Sequence, residues 1–252
     1  MMGKLKLSRS IAKLATSVVI LFGVHTQAYA VEWPPLTDRA RAKLVADQYP
    51  IDVYDPLEGV NRRVYIFNAK FDRYLLLPVT DLYTTVTPSF LRDRVRSFLG
   101  NLGELRNFTN STLQLKPRAA MTALGRFATN TTVGIGGTFD VATKVGFEEA
   151  PEDFGQTLAS YGVAEGAYLV LPALGPSNLR DVSGMAFDAA VFNLIDPLNF
   201  SNFSERQWMY GSAKGLTSRA DNAFRYHTTG SPFEYEIVRF IYTAKRKLEA
   251  GK

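Results

Sequence analysis

The stretch VNRRVYIFNAKFDRYLLLP, from Val60 to Pro78, has the clearest helical periodicity in the chain. At 100° per residue, most of its apolar side chains fall in one stripe about 100° wide. The stripe consists of Val60, Val64, Phe67, Phe71, Tyr74, Leu75 and Pro78. Other apolar residues lie off the stripe, namely Tyr65, Ile66, Leu76 and Leu77. A helix that is apolar on more than one face is either deeply buried or in contact with lipid, and the pattern leaves both interpretations open.

Five further segments are also predicted to be helical. They are Pro88–Leu115, Pro117–Thr132, Met185–Ile195, Ser204–Phe224 and Phe233–Leu248. Strand-like residues occur only briefly, in Ala167–Leu171, and Gly162–Gly166 is expected to turn a small hairpin there. We therefore predict an all-α, mostly helical fold with short loops and one small hairpin.

The first thirty residues have the pattern of an export signal. Met1–Lys13 is basic and contains no acid, and Leu14–Val24 is an uncharged, mostly apolar run that is followed by Ala28-Tyr-Ala30. This pattern predicts a cleaved secretory signal peptide over residues 1–30, because the apolar run is far shorter than the ~20 residues of a membrane span. No cysteine follows the run, so we expect an exported protein that is not a lipoprotein.

Composition excludes several classes of protein. The 252 residues carry a formal charge of +5, but four of the 29 basic residues lie in the predicted signal peptide, which leaves a mature charge of +1. The basic balance therefore does not indicate a nucleic-acid partner. The absence of cysteine excludes disulfides, thiolate metal sites and cysteine nucleophiles within this sequence, and His227 is the one histidine beyond the predicted signal peptide.

The sequence contains no complete catalytic or cofactor-binding motif. Gly134-Ile-Gly136-Gly137 lacks the third glycine of a dinucleotide-binding loop. Glu148-Glu149 and Glu152-Asp153 are interpreted as acid pairs on a solvated loop, and His227 as a surface or capping residue. We therefore predict no catalytic residue, no metal ligand and no cofactor, and what remains is apolar surface suited to lipid contact.

A series of short stretches, in order along the chain from about Tyr54 to Pro197, resembles the VacJ/MlaA family of outer-membrane phospholipid-transport proteins. The stretches are Asp55–Arg62, Tyr65 with Phe67-Asn68, Phe98–Leu102 with Gln114, Arg126-Phe127, Asn130–Gly137, Asp140–Ala142, Asp153–Leu158, Tyr161–Val163, Gly166, Tyr168, Leu171-Pro172, Gly175–Ser177 and Arg180-Asp181. Each stretch alone is weak, and their number and order make the resemblance specific.

The resemblance implies a ring-shaped, nearly all-helical protein embedded in the periplasmic leaflet of the outer membrane. A central amphipathic channel would let mislocalised phospholipid leave the outer leaflet and pass to a soluble periplasmic lipid carrier, which maintains lipid asymmetry. Trimeric porins are the implied protein partners, no nucleic acid is involved, and no reaction is catalysed. The implied domains are a signal peptide at 1–30, an N-terminal arm at 31–54, an MlaA-like helical domain at 55–230, and a C-terminal amphipathic helix with its tail at 231–252.

Ten residues are the candidates for lipid or channel contact. They are Tyr65, Phe67, Asn68, Phe71, Gly134, Gly136, Gly137, Tyr161, Gly162 and Gly166. The glycines permit tight turns at a channel lip, or they merely close loops. Family members often begin with an acylated cysteine, and this chain has none, so embedded helices would have to supply the attachment. Two other classes remain as alternatives: a soluble periplasmic lipid-acting enzyme that uses His227, and a porin-associated structural protein.

Overall fold

The computed structural model describes residues 53–197, 199, 204–227 and 231–251. The predicted signal peptide and the predicted arm up to residue 52 lie outside these residues. The helices are α1 (Glu58–Phe71), α2 (Leu77–Val86), α3 (Ser89–Leu113), α4 (Pro117–Thr132), α5 (Val141–Lys144), α6 (Phe154–Ser160), α7 (Leu179–Ile195), α8 (Ser204–Asp221) and α9 (Glu234–Ala250). A π-helical segment, Asp72–Leu76, joins α1 to α2, and strands β1 (Tyr168–Leu171) and β2 (Gly175–Asn178) form one antiparallel hairpin.

These elements confirm the mostly helical fold with a single small hairpin in the described part of the chain. The predicted helix at Pro117–Thr132 has those bounds in the structure, because Pro117 occupies a first-turn position where its missing N–H costs nothing. The last turn of α7 stops at Asp196, whose left-handed backbone (φ 43°) and following proline end the predicted apolar run.

The hairpin turns at a different place from the one predicted. Leu171 pairs with Gly175, so the chain reverses through Pro172–Leu174, and the predicted turn at Gly162–Gly166 instead precedes β1. The sequence did not reveal β2 because its four residues, GPSN, have neither the alternation nor the β-branched side chains of a strand.

Two asparagines of α1 hold the hairpin. The Asn61 side chain donates to the Tyr168 carbonyl at 3.0 Å and accepts from the Val170 N–H at 2.9 Å, as a neighbouring strand would. The Asn68 side chain donates to the carbonyl of Leu171 at 2.9 Å. Its oxygen also accepts from the first N–H beyond Pro172 at 2.7 Å. Helix α1 therefore supplies the hydrogen bonds that hold this weak sheet in place.

The apolar stripe of α1 faces mostly outward, whereas a face with two asparagines points inward. Asn61, Tyr65, Asn68 and Ala69 are the buried residues of this helix. Phe67 of the predicted stripe is 50% exposed, and Val60, Tyr74 and Leu75 are exposed as well. Of the two interpretations that the periodicity left open, the structure excludes deep burial of this stripe.

The same inversion recurs in other helices. Helix α3 buries Asn101, Leu102, Glu104, Asn107, Asn110 and Ser111. Helix α9 buries Glu234, Tyr235, Thr243 and Arg246 and exposes Ile237, Phe240, Ile241 and Leu248. Among the described residues, buried polar and charged side chains outnumber buried apolar ones, which reverses the usual arrangement of a water-soluble domain. Exposed apolar surface of this extent marks contact with a membrane or with another protein.

The buried apolar cluster is small and aromatic. Tyr65, Tyr168, Val170 and Tyr235 form it, and the ring of Tyr65 meets that of Tyr235 edge to face with centroids 5.7 Å apart. Burial raises the pKa of the Tyr65 hydroxyl, and the hydrogen bond that it donates to Glu234 at 2.5 Å raises that pKa further. Within the described ranges, the helices are too short or too polar to cross a bilayer.

Candidate functional site

A groove of about 750 Å³ lies between α3, α7 and α8. Its volume falls within the range of about 300–1,000 Å³ that is typical of sites for small ligands. Two glycines of α3, Gly100 and Gly103, line the groove, and a Cβ built on either one would meet nothing within 4 Å. Because these positions lack side chains, the α3 wall leaves room for a guest molecule.

Apolar side chains from the three helices form one part of the groove wall. Leu99 comes from α3, Met185 and Phe192 come from α7, and Tyr210 comes from α8. The rings of Phe192 and Tyr210 are stacked, with centroids 5.2 Å apart and planes 14° apart. This contact ties α7 to α8 across the groove and gives it a smooth apolar side.

Three cations line the groove as well, namely Arg96 and Arg106 from α3 and Lys214 from α8. The Nζ of Lys214 lies 5.8 Å from the centroid of the Tyr210 ring. Lys214 is an exposed residue of the groove, and neighbouring protein lies close to its ammonium. Burial lowers the pKa of its ammonium below the ordinary value, the positive charge of Arg106 lowers that pKa further, and Asp188 opposes both.

Asp188, the α7 acid that lines the groove, is held in place by hydrogen bonds. One carboxylate oxygen accepts from the Asn110 side chain at 2.8 Å, and the other accepts from the Phe154 N–H at 3.1 Å. Burial raises the pKa of Asp188, and these hydrogen bonds only partly offset that rise. Its oxygens therefore bridge α3, α6 and α7, and Asp188 forms no ion pair with either Arg106 or Lys214.

Buried ion pairs fix the helices around the groove. One turn before Met185, Asp181 receives two hydrogen bonds from the Arg246 guanidinium, at 2.7 and 2.9 Å. The same guanidinium makes two hydrogen bonds to Asp153, both at 2.8 Å. Burial alone would raise the pKa of each carboxyl, but the Arg246 hydrogen bonds hold both below their usual range. Arg246 thereby joins α9 to α7 and to the start of α6.

This arrangement corrects one interpretation of the sequence. Glu148 and Glu149 are exposed as predicted, but Glu152 is buried and accepts from Gln114 at 2.9 Å and from Lys116 at 3.0 Å. Asp153, also interpreted as solvated, caps α6 by accepting from the Gln156 N–H and pairs with Arg246. The sequence pattern could not show this, because the basic and amide partners lie far away along the chain.

A second buried pair joins α3 to α4. The Arg126 guanidinium donates to Glu104 at 2.5 Å, and both side chains are almost wholly buried. Arg126 also donates to the Phe147 carbonyl at 2.5 Å and to the Thr143 hydroxyl at 2.9 Å. The guanidinium therefore anchors the chain around α5 to the helical hairpin formed by α3 and α4.

The four predicted site residues of α1 fall into two groups. Tyr65 and Asn68 are buried and engaged by Glu234 and by the hairpin, so they shape the protein interior. Phe67 and Phe71 lie on the outward stripe, with their rings stacked at 5.8 Å and 15°. The structure therefore brings Phe67 and Phe71 together on the apolar exterior and places the other two behind them.

The predicted glycines lie in turns. A Cβ on Gly134 would come within 2.3 Å of the Phe139 carbonyl, and one on Gly137 (φ +86°) would come within 2.5 Å of the buried Asn101 amide. Three more have left-handed backbones, namely Gly136, Gly162 and Gly166. Tyr161 is exposed, and its hydroxyl donates to the Leu113 carbonyl at 2.6 Å.

None of the ten predicted residues lines the groove. Sequence reasoning missed Arg106, Met185, Phe192, Tyr210 and Lys214. A usable signal was present in the apolar run Met185–Ile195, whose interruptions at Asp188 and Asn193 both line the groove. The contact of Phe67, Phe71 and the glycines with lipid stays a prediction.

His227, the candidate base of the enzymatic alternative, lies in the turn between α8 and α9. Its backbone N–H donates to Glu234 at 2.8 Å, and its ring Nδ1 is 3.8 Å from the same carboxylate. The residue has a left-handed backbone (φ 62°) and a half-exposed side chain. These features agree with the capping role that the sequence favours.

Comparison with known proteins gives one consistent result. Residues 53–249 match the family described as MlaA lipoprotein. An uncharacterized protein of Rickettsia prowazekii is 42% identical over 171 residues, which are 67% of this chain and 66% of the relative. The intermembrane phospholipid transport system lipoprotein MlaA of Escherichia coli is 40% identical over 134 residues, which are 52% of this chain and 53% of that protein.

A solved structure also matches. It concerns the structural basis for maintenance of bacterial outer membrane lipid asymmetry, and the match has a TM-score of 0.65 and 32% sequence identity. It covers 78% of this chain and 98% of the solved one. Against the curated relatives, in contrast, this chain spans only about half to two thirds of their length.

Proposed function

Because the chain belongs to the MlaA lipoprotein family, we propose that it is the outer-membrane component of an intermembrane phospholipid transport system. It removes phospholipid that is mislocalised in the outer leaflet and passes it to a soluble periplasmic carrier, and so maintains lipid asymmetry. It transports lipid without catalysing a reaction and requires no cofactor.

The groove between α3, α7 and α8 is the observation that carries this proposal. It combines an apolar wall of Leu99, Met185 and Phe192 with the cations Arg106 and Lys214. A phospholipid has the same two parts, since its acyl chains are apolar and its headgroup carries an anionic phosphate. A groove with an apolar wall and cationic side chains therefore offers a favourable environment to the acyl chains and to the phosphate as the lipid moves.

The outward apolar stripes support a position in the periplasmic leaflet. Exposed residues of α1 and α9, such as Phe67, Phe240 and Ile241, offer side chains that acyl chains can solvate. The polar interior would then lie against the channel of a ring-shaped protein. The 252 residues contain no cysteine, so the thioether-linked lipid implied by the word lipoprotein has no attachment point in them. We propose that embedded helices and contact with trimeric porins hold the protein at the membrane.

Lipid analysis of the native protein tests the transport role. The full chain is extracted from outer-membrane fractions in a mild detergent, and lipid phosphorus is measured per protein after gel filtration. We expect phospholipid to co-purify at a defined ratio. A lipid content no higher than that of protein-free micelles would contradict the proposal.

A variant that fills the groove tests the route. Gly103→Trp places an indole in the open space beside α3, whereas Gly211→Trp puts the same side chain on α8 outside the groove, also where a Cβ meets nothing. In a strain that lacks the protein, Gly211→Trp should restore resistance to detergent and Gly103→Trp should not. Full restoration by both variants at equal protein levels would show that lipid does not pass through the groove.

A further inference from the structure

The groove cations Arg106 and Lys214 have no carboxylate partner among the described residues. Arg96, on the same helix as Arg106, shows the contrast, because its Nε donates to Asp221 at 2.8 Å. Two unneutralised cations that face one cavity repel each other, and they are stable there only if water or a bound anion screens them.

Among the described residues, none of the acids that line the groove forms an ion pair with Arg106 or Lys214. Asp221 pairs with Arg96, and Asp188 gives both its oxygens to Asn110 and to the Phe154 N–H. The remaining acid, Glu149, lies on the exposed loop before α6 and within ion-pair distance of neither cation. The positive charge on Arg106 and Lys214 is therefore available to a guest molecule.

From this we propose that Arg106 and Lys214 bind the phosphate of a diacyl glycerophospholipid while its acyl chains lie against Leu99, Met185 and Phe192. The inference rests on the proposed transport function and adds the part of the lipid that the groove recognises. Arginine and lysine are the side chains that form the strongest hydrogen bonds to phosphate oxygens.

The surroundings of Lys214 favour this role. Its ammonium lies beside the Tyr210 ring, which is stacked on Phe192, so the aromatic pair limits the positions that the side chain can take. A cation whose side chain is already restricted loses less conformational freedom on binding a phosphate than a freely moving surface lysine does.

A binding experiment with two matched lipids isolates the phosphate. Fluorescent phosphatidylglycerol and fluorescent diacylglycerol with identical acyl chains are titrated with the full-length protein in detergent micelles, and anisotropy is recorded. The wild-type protein should prefer phosphatidylglycerol by about tenfold or more, as expected for charge-assisted hydrogen bonds. The preference should fall close to one in the double variant Arg106→Gln/Lys214→Gln.

Matched variants separate charge from fold. Arg118→Gln/Lys144→Gln removes one arginine and one lysine from exposed positions outside the groove and should keep the full preference. Arg106→Lys/Lys214→Arg keeps both charges and should retain most of it. If the Arg106→Gln/Lys214→Gln variant is folded by circular dichroism and still prefers phosphatidylglycerol, the proposal is overturned.

Three further outcomes show which part of the proposal is wrong. If inorganic phosphate displaces the lipid from the wild-type protein as well as unlabelled phosphatidylglycerol does, the cations form a site for free phosphate and the lipid-phosphate assignment is overturned. Equal binding of both lipids by the wild-type protein overturns only the phosphate site. Binding of neither lipid overturns the transport function from which the inference starts.

Discussion

Arg246, near the end of α9, forms a bidentate ion pair with Asp181 in the first turn of α7, with Nε and Nη2 donating to the two carboxylate oxygens at 2.7 and 2.9 Å. A Cβ on Gly155 would come within 2.4 Å of that carboxylate, so the pair forms only because the first turn of α6 carries no side chain at that position. The ion pair thus depends on residues of three helices.

Loss of this cation should destabilise the fold strongly. Arg246→Gln leaves the buried carboxylates of Asp181 and Asp153 without their counter-charge, which costs about 3–5 kcal/mol in the free energy of unfolding. Urea unfolding in detergent micelles, followed by circular dichroism, measures the change. Lys245→Gln is the control, since this neighbouring residue is exposed and its surface pair with Glu249 contributes at most about 1 kcal/mol. Equal losses in the two variants would contradict the role given to Arg246.

The same carboxylates predict acid sensitivity. The folded-state pKa values of Asp153 and Asp181 lie below the value of about 3.9 expected in the unfolded chain. Their contribution to stability is therefore complete above about pH 4 and is lost as the pH falls through the folded-state values. The free energy of unfolding should drop in this range, and less steeply in Asp153→Asn/Asp181→Asn. An unchanged acid slope in that variant would rule these groups out as the cause.

Two neighbouring glycines should respond differently to alanine. Gly136 and Gly137 both have positive φ angles, +66° and +86°, so alanine at either position costs about 1–2 kcal/mol of backbone strain. Only at Gly137 does the new Cβ meet another residue, the buried Asn101, within 2.5 Å. Gly137→Ala should therefore lower the thermal midpoint more than Gly136→Ala does. The reverse order would show that the contact with Asn101 relaxes without cost.

The outward position of Phe67 predicts its effect on membrane attachment. Phe67→Asp places a charge on the apolar stripe of α1 beside Phe71, and a carboxylate is costly to bury among acyl chains. More of this variant than of wild type should be released from outer-membrane fractions by urea or alkaline carbonate. Phe67→Leu keeps the surface apolar and should behave as wild type. Retention of Phe67→Asp at the wild-type level would exclude this face from the membrane contact.

The local features of the fold could be predicted from the sequence. Pro117 opens its helix and Asp196-Pro197 ends another because their backbone constraints act within one turn. The face of a helix that points to the protein interior was harder to predict. Periodicity separates the apolar stripe of α1 from the basic face opposite it, but the face that meets the rest of the protein is a third one, with Asn61, Tyr65 and Asn68.

The candidate site was the least predictable part. Arg106 and Lys214 come from distant segments and belong to no motif, so only the packing of α3 beside α8 brings them to one cavity. The Phe67-Asn68 pair illustrates a different limit. These two adjacent residues belong to the same family stretch, yet one points to the exterior and the other holds the β-hairpin.

The polar interior has a practical consequence for protein engineering. The hydrogen bonds and ion pairs described above join inward residues such as Asn61, Asp181 and Arg246, while exposed side chains such as Val60, Phe240 and Leu248 make none of them. Replacement of exposed apolar side chains by glutamate, lysine and glutamine should therefore leave the internal hydrogen bonds and ion pairs intact. Such a variant should stay in solution without detergent, which would simplify crystallisation and solution spectroscopy.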